Sequence, residues 1–184
     1  MSQSRDASKT PCGALKTTRE KDHGACDRAW LDLAIKTANA APEKGGSPHP
    51  RVKVGAILVD AKGKEIARAV NRFATGVDRR RPERYENNAR SLWINCAEQM
   101  ALAQALRHKA DVKGAKMYVT LEPCAVCAGL LVESGIREVV VPLSSRRSYA
   151  KLKAKWKKSI EIGTSKLTEA GVKITAVDMD DTRG

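Results

Sequence analysis

Aromatic side chains are scarce in this chain, at 4% of 184 residues, with a single phenylalanine. Any core must therefore be packed from Val, Ile, Leu and Ala. Apolar runs long enough to cross a bilayer are lacking too, as is the hydrophobic centre of a secretory signal near the first residues. These absences predict a cytoplasmic protein with no membrane partner.

Cysteine is also sparse, since the chain has five and three of these fall in two short motifs. The other two, Cys12 and Cys26, are too few for a disulfide framework, which favours a reducing compartment such as the cytoplasm. Cys12 is expected to be a free thiol.

Acidic residues are outnumbered, with 21 Asp and Glu against 34 Lys and Arg, for a formal net charge of +13. That excess favours anionic partners, either nucleotides or nucleic acid. The length suits one domain. Composition predicts a basic flexible tail over residues 1–24, a folded domain over 25–178 and a short polar tail over 179–184.

Two motifs carry the chemistry, Cys96-Ala97-Glu98 and Pro123-Cys124-Ala125-Val126-Cys127. Three thiolates can hold a tetrahedral Zn²⁺ and leave the fourth position open for water, as in catalytic zinc sites. Each motif opens a predicted helix, and the partial positive charge of a helix N-terminus stabilises thiolates. Glu98, two residues from one ligand, could move the protons of that water.

Other interpretations of these residues remain open from spacing alone. Cys124 and Cys127 could form a redox pair, and a closed structural zinc site could recruit Cys26 or Cys12 as a fourth ligand. Neither interpretation requires Glu98, and for that reason we favour a catalytic zinc. Glu98 could otherwise be a first-turn acid that interacts with the helix dipole.

With these motifs, the chain resembles the zinc-dependent cytidine/deoxycytidylate deaminase superfamily. The resemblance runs from about residue 51 to about residue 174, and identifies residues 25–178 as a deaminase domain. A Cys at position 96, where dCMP deaminases usually carry His, is typical of cytidine deaminases. Besides the two motifs, the resemblance rests on residues 50–60, 71–77, 134–141, 155–162 and 169–172.

The resemblance implies hydrolytic deamination of a cytosine-containing nucleotide or nucleoside, with Zn²⁺ as cofactor and Glu98 as the proton shuttle. It further implies that the backbone N–H of Ala97 binds the base carbonyl and that Asn71 binds a sugar hydroxyl. A turn asparagine is the structural alternative for Asn71. A homo-oligomer is also implied. The implied metal ligands are Cys96, Cys124 and Cys127.

The hydrophobic patterns fit an α/β fold, the three-layer α/β/α sandwich with a central mixed five-stranded sheet that the resemblance implies. Val52–Val59 and Lys64–Val70 predict an antiparallel hairpin. Lys116–Leu121 and Ile136–Val141 predict parallel strands joined by the helix from Cys124. Val172–Val177 would add the fifth strand.

Two further helices are expected to cover the sheet. The first would be capped by Asp27 and run to about Ala40. Its apolar stripe would comprise Leu31, Ala34, Ile35 and Ala38. A final helix would end at Gly171. Its apolar side would comprise Ile160, Gly163, Leu167 and Ala170.

Basic stretches bear on the choice of substrate. The planar guanidinium of arginine forms paired hydrogen bonds with phosphate oxygens. The arginine-rich stretch from Asp78 to Arg90 could therefore bind a 5′-phosphate, which favours dCMP or CMP over cytidine. The alternative is that this stretch is a solvated loop. Trp156, within the basic run Lys151–Lys158, could stack on a base, or lie buried on a helix face. The arginines concerned are Arg79, Arg80, Arg81, Arg84 and Arg90.

Three alternative functions remain open from the sequence. One is deamination of another base or nucleoside, such as a riboflavin-pathway pyrimidine, guanine or adenosine. Another is a nucleic-acid-editing deaminase or a basic nucleic-acid-binding protein, which the net charge of +13 supports. A purely structural zinc protein, the third, would release no ammonia from any base.

Overall fold

The computed structural model describes residues 20–86, 89–147 and 153–180 of the chain. The expectations for Cys12, for most of the basic tail and for the last four residues fall outside these residues. The first helix begins at Glu20, within the stretch predicted as tail.

The sheet that organises the fold has five strands and is mixed, as predicted. The strands are β1 (Gly55–Val59), β2 (Glu65–Val70), β3 (Arg72–Phe73), β4 (Ile94–Asn95), β5 (Lys116–Val119), β6 (Glu138–Pro142) and β7 (Lys173–Val177). The large sheet has the order β2-β1-β5-β6-β7. β1 pairs antiparallel with β2 and β5, whereas β6 pairs parallel with β5 and β7. Strands β1 and β5 are shorter than the hydrophobic pattern predicted.

Helices cover both faces of the sheet. They are α1 (Glu20–Asn39), α2 (Arg90–Trp93), α3 (Ala97–Arg107), α4 (Ala125–Glu133), α5 (Leu143–Arg147) and α6 (Ala154–Glu169). On one face, α1 packs Trp30, Leu31 and Ala34 against Ile57 and Tyr118. On the other face, buried side chains of α3, α4 and α6 share one apolar core with β1, β5 and β6. The result is the predicted three-layer α/β/α sandwich.

The first helix has the predicted stripe but a different start. Leu31, Ala34 and Ala38 are buried, and Ile35 is half-buried. The prediction that Asp27 caps this helix is wrong, because Asp27 lies inside α1 and its buried carboxylate accepts a hydrogen bond from the hydroxyl of Tyr118 at 2.6 Å. The buried position of Asp27 is therefore explained by its hydrogen bond to Tyr118 on β5, and not by a capping role.

The last helix is a single element that begins within the basic run. Ile160, Gly163 and Leu167 are buried along one side, as predicted, whereas Ala170 is exposed just beyond the last turn. Leu167 reaches the core shared with α3 and α4. α6 thus belongs to the layer that carries both cysteine motifs.

A second, two-stranded sheet joins the end of the hairpin to the start of α3. In it, Arg72 pairs with Asn95, and Phe73 pairs with Ile94. The sequence patterns did not predict this pairing. It brings the chain that follows Asn71 beside the chain that precedes Cys96.

Within the described residues, none of the helices combines the length and the apolar character needed to traverse a bilayer. The expected homo-oligomer stays a prediction.

Candidate metal centre and active site

The first cysteine motif sits at the N-terminus of α3. Cys96 is the N-cap residue, with an extended backbone at φ −65° and ψ 154°. Its backbone N–H donates to the side-chain oxygen of Gln99 at 3.0 Å, which closes the start of the helix. Because Asn95 is held in the small sheet, the Cys96 thiol is fixed between a strand and a helix.

The second motif forms the N-terminus of α4. Cys124 is the N-cap residue, and Cys127 is the third residue of the helix. The N–H of Ala128 donates to the carbonyl of Cys124 at 2.8 Å and so closes the first turn. Both thiols therefore lie on one side of a helix start, as the spacing predicted.

The structure brings the three thiols together. The sulfur atoms of Cys96, Cys124 and Cys127 all lie within 4.8 Å of one another. Ligand sulfurs about 2.3 Å from one Zn²⁺ stand roughly 3.8 Å apart in a tetrahedron, so the cluster is of the right size. Thiolates at two helix N-termini are also the soft, stabilised donors that zinc prefers. These residues fit a zinc ion.

A closed four-ligand site is not formed by the described residues. Over the ranges 20–86, 89–147 and 153–180, the metal-capable cluster comprises these three thiols. Cys26 packs with the core on the opposite face of the sheet and is disulfide-bonded. The interpretation of Cys26 as a fourth ligand is therefore wrong.

Without a metal, the three thiols share their protons unequally. Hydrogen bonds from the thiols of Cys127 and then Cys96 lower the pKa of Cys124, and backbone N–H groups of Cys127 and Val126 add to this. The pKa of Cys96 and that of Cys127 are raised, in each case chiefly by the hydrogen bond to Cys124. A bound cation would take the place of these protons, because metal binding requires thiolates.

Glu98 lies on the first turn of α3 and is only 4% exposed. Burial, opposed in part by the residue's own backbone N–H, raises the pKa of its carboxyl to about 7. A carboxyl whose pKa is near neutrality can both accept and release a proton, as a proton shuttle must. A first-turn acid that only interacts with the helix dipole needs no such burial.

A cavity of about 500 Å³ opens over this site. Cys96, Cys124 and Glu98 line it, together with Ala97 and Asn71. Its size is within the range of small-molecule sites. Further lining residues, which the motifs did not predict, include His49, Arg51, Tyr85, Lys153, Lys155 and Ile160.

Asn71 lies on the cavity wall and also braces the loop before β1. Its side-chain oxygen accepts from the N–H of Val54 at 2.9 Å and from the hydroxyl of Ser47 at 2.6 Å. Its amide nitrogen donates to the carbonyl of Val52 at 2.9 Å. An amide nitrogen carries two hydrogens, so Asn71 can brace this loop and still present a donor to a ligand.

The arginines of this stretch whose side chains the structure describes, Arg79, Arg80, Arg81 and Arg84, do not line the cavity. The guanidinium of Arg84 lies 4.4 Å above the ring of Trp93, Arg80 pairs with Asp78 at 3.1 Å, and Arg81 pairs with Glu83 at 3.7 Å. Of the described side chains in this stretch, Tyr85 lines the cavity. Among the described side chains, the cations that line the cavity are Arg51 and, at the start of α6, Lys153 and Lys155.

Trp156 lies on the wall of the cavity and is half-buried, which corrects the expectation of a Trp buried on a helix face. The ammonium of Lys155 lies 5.6 Å from the centre of its ring. A tryptophan inside a lysine run was the one sequence signal that pointed to this part of the site.

Comparison with known proteins agrees with the geometry. Residues 25–143 match the family described as the cytidine and deoxycytidylate deaminase zinc-binding region. A tRNA-specific adenosine deaminase of Bacillus subtilis is 37% identical over 116 residues, which cover 62% of this chain and 60% of that protein. A deoxycytidylate deaminase of Mus musculus is 32% identical over 116 residues, covering 60% of this chain and 63% of that protein.

The fold itself resembles that of a dCMP deaminase from the cyanophage S-TIM5, solved in complex with dCMP and dUMP. The TM-score is 0.61 at 18% identity, and the match covers 88% of this chain and 100% of that one. Because the chain spans only 60% and 63% of the two curated relatives, their activities do not carry over to it directly.

Proposed function

Because this chain belongs to the cytidine and deoxycytidylate deaminase family, we propose that it hydrolytically deaminates a cytosine-containing nucleotide or nucleoside to the uracil product and ammonia. The observation that carries the proposal is the cluster of three thiols beside a buried carboxyl, at the wall of a cavity that admits a small molecule. Neither a redox pair nor a structural zinc site accounts for Glu98.

Cys96, Cys124 and Cys127 would hold the zinc ion. When bound, zinc supplies the Lewis acidity that makes water a nucleophile near neutral pH. The chain's own contribution begins with Glu98, which accepts a proton from the attacking water and delivers it to N3 of cytosine as the water oxygen bonds to C4. Glu98 then carries the second proton of that water to the amino group. The C4–N bond breaks, ammonia leaves, and C4 keeps the oxygen as a carbonyl.

Two groups on the cavity wall would orient the substrate. The N–H of Ala97 is at the N-terminus of α3 and would donate to the base carbonyl, which the partial positive charge of the helix end favours. The amide of Asn71 would donate its second hydrogen to a sugar hydroxyl.

The cations around the cavity support a phosphorylated substrate, dCMP or CMP, over cytidine. Arg51, Lys153 and Lys155 are exposed and line the cavity, and both lysines lie at the start of α6. Cationic side chains form strong charge-assisted hydrogen bonds with phosphate oxygens. Trp156 and Tyr85 add two aromatic rings on which a base or sugar could pack.

A second candidate is a deaminase that acts on nucleic acid. It is favoured by the 37% identity to a tRNA-specific adenosine deaminase and by the net charge of +13. Polynucleotide binding would weaken steeply and log-linearly with salt, whereas binding of a free nucleotide would show a gentler dependence.

An ammonia-release screen tests the proposal. The zinc-loaded full chain is incubated with dCMP, CMP, deoxycytidine, cytidine, cytosine, guanine, adenosine, a riboflavin-pathway aminopyrimidine and a tRNA transcript. Ammonia from a cytosine compound, absent with Glu98→Gln, supports the proposed function. Ammonia only from tRNA or from a non-cytosine base would replace it with the corresponding alternative, and none from any compound would overturn it.

A further inference from the structure

Helix α6 lies beyond residues 25–143, the part of the chain that matches the family, yet it packs against the second cysteine motif. Gly163 marks the point of closest approach. A Cβ atom placed on Gly163 would stand 2.5 Å from the carbonyl oxygen of Pro123, and 3.1 and 3.2 Å from the carbonyl carbon and oxygen of Cys124. These are backbone atoms, which cannot swing away as a flexible side chain would. Only glycine allows α6 to lie this close to the peptide that carries Cys124.

One turn earlier on the same helix, Ser159 contacts the next residue of the motif. Its hydroxyl oxygen accepts a hydrogen bond from the N–H of Ala125 at 3.2 Å. The first N–H groups of a helix have no partner within the helix and are usually met by the side chain of the N-cap residue. Here the N-cap residue is Cys124, whose sulfur interacts with the N–H groups of Val126 and Cys127, so the N–H of Ala125 needs a partner from elsewhere. A serine from another helix supplies that partner and so holds the first residue of α4, next to Cys124, in place.

Lys166, on the same side of α6, completes the contact. Its ammonium donates to the carbonyl oxygen of Ala125 at 3.1 Å. Residues spaced by four and by three along a helix share one face, so Ser159, Gly163 and Lys166 form a single row. This row contacts the three consecutive residues 123–125 through their backbone.

We propose that α6 is a clamp that positions the Cys124–Cys127 half of the zinc site, with Ser159 and Gly163 as positioning residues. The inference rests on the zinc site of the proposed function. A three-thiol site has no fourth protein ligand to fix its geometry, so its affinity depends on how firmly the helix starts are held. Partners that orient metal ligands from outside the site typically account for 10–100-fold in metal affinity.

The clamp also places the wall of the cavity relative to the metal. Ile160 stands between the two positioning residues in the chain and lines the cavity, as do Lys155 and Trp156 one turn earlier. The helix that holds the motif is therefore also the helix that faces the substrate. A shift of α6 would change both the zinc site and the substrate pocket.

Zinc affinity of the full-length chain tests the clamp. Ser159→Ala and Gly163→Ala are titrated with Zn²⁺ in competition with a chromophoric chelator, and the rate of zinc release is followed with the same dye. We expect zinc to bind about 10–100-fold more weakly in each variant than in the wild type. The melting temperature of the zinc-free protein is measured in parallel, because a merely structural role would lower that temperature and leave zinc affinity unchanged.

The chain offers a matched control for each variant. Ser165→Ala removes an exposed α6 hydroxyl that bonds only within its own helix, to the carbonyl of Glu161 at 3.2 Å. Gly129→Ala adds a Cβ to a helical glycine of α4 whose nearest neighbour, the ammonium of Lys166, would be 3.7 Å away. Both controls should bind zinc as the wild type does.

The outcomes separate the clamp from the proposed function. If the wild type binds zinc and the folded variants bind it equally well, the clamp is overturned and the zinc site stands. If Gly163→Ala does not fold, Ser159→Ala alone decides between these results. A wild-type chain that takes up no zinc would overturn the proposed function and the clamp with it.

Discussion

The carboxylate of Asp27 accepts a hydrogen bond from the hydroxyl of Tyr118 at 2.6 Å and so ties α1 to the middle of the sheet. The ammonium of Lys116 lies 3.2 Å from the same oxygen. Burial, and then the hydrogen bond to Asp27, raises the pKa of the Tyr118 hydroxyl. Tyr118 therefore stays a neutral donor across the physiological range, and the buried acid has two partners.

Removal of this donor should destabilise the protein. Tyr118→Phe keeps the ring, whose centre is 6.1 Å from that of Trp30, but leaves a buried carboxylate with one partner fewer. We expect the free energy of unfolding to fall by about 1–3 kcal/mol, measured by urea denaturation at neutral pH. Tyr85→Phe is the matched control, because the Tyr85 hydroxyl bonds to the carbonyl of Arg79 at an exposed position. Equal losses in the two variants would contradict the role given to Asp27.

Glu138 should make stability depend on pH in the acid range. Its carboxylate accepts from the hydroxyl of Thr175 at 2.6 Å and pairs with the ammonium groups of Lys116 at 3.1 Å and Lys173 at 3.3 Å. Burial acts to raise the pKa of Glu138, but the hydrogen bonds and charges of these three residues outweigh it and hold the pKa below its ordinary value.

The direction of the pH effect follows from that depressed pKa. The stability that ionised Glu138 contributes is fully present above its unfolded-state pKa, about 4.3, and is lost as the pH falls through the lower folded-state pKa. We expect Glu138→Gln to be less stable than the wild type at neutral pH and to lose less stability between about pH 5 and pH 3. Urea denaturation across this range measures both. Glu133→Gln, at an exposed position on α4, is the control and should show the same change of unfolding free energy with pH as the wild type. If Glu138→Gln also showed the wild-type change, Glu138 would not be the source of the pH dependence.

The misassigned cap shows where local patterns fail. An Asp ahead of an apolar stripe is a good N-cap signal, but the partner that explains Asp27 is Tyr118, 91 residues away. The stripe itself was predicted, because burial of Leu31, Ala34 and Ala38 follows from helical periodicity alone. The spacing of apolar residues along the chain thus predicts which face of a helix is buried. It does not predict which polar group, distant in sequence, forms a hydrogen bond with a buried side chain of that helix.

The residues of the candidate site likewise fall into those that the sequence predicts and those that it does not. The three cysteines and Glu98 could be predicted because their chemistry is encoded in two short motifs. Lys153 and Lys155 could not, since a lysine run looks the same whether it faces a cavity or bulk solvent. Gly163 did carry a signal: glycine inside a helix interior costs about 1 kcal/mol relative to alanine, and a close backbone contact is a common reason for it.

Loss of the Glu98 carboxylate should separate catalysis from metal binding. Glu98→Gln keeps the shape of the side chain but cannot accept the proton of water, so turnover should fall by about 10³-fold or more. Zinc content, measured by atomic absorption, should stay at the wild-type value because the cluster that would bind the metal consists of three cysteines and does not include Glu98. Glu133→Gln serves as the control for charge removal. Near-normal turnover in Glu98→Gln would take the proton-shuttle role away from this residue.

Loss of a thiol should instead remove the metal. Cys127→Ser replaces a fully buried sulfur with a weaker zinc ligand at the first turn of α4, and we expect the purified variant to contain little zinc. Chelation of the wild type should lower its melting temperature, since a metal bound only by the folded state stabilises that state. The melting temperature of Cys127→Ser should not respond to the chelator. A variant that retains a full equivalent of zinc would show that the metal is held elsewhere.

The lysines at the start of α6 should distinguish a nucleotide from a nucleoside. Lys155 lines the cavity close to Trp156, and in the proposed function its ammonium would contact the 5′-phosphate of dCMP or CMP. We expect Lys155→Ala to raise KM for dCMP roughly tenfold, with little change in kcat, because a contact to phosphate is made equally in the ground and transition states. KM for deoxycytidine should not change. Lys158→Ala, on the exposed side of the same helix and 3.9 Å from Glu161, controls for the loss of one positive charge. An equal rise in KM for dCMP and deoxycytidine in this variant would show that Lys155 acts on the sugar or base. Equal turnover of both substrates by the wild type would show that the enzyme does not recognise the phosphate.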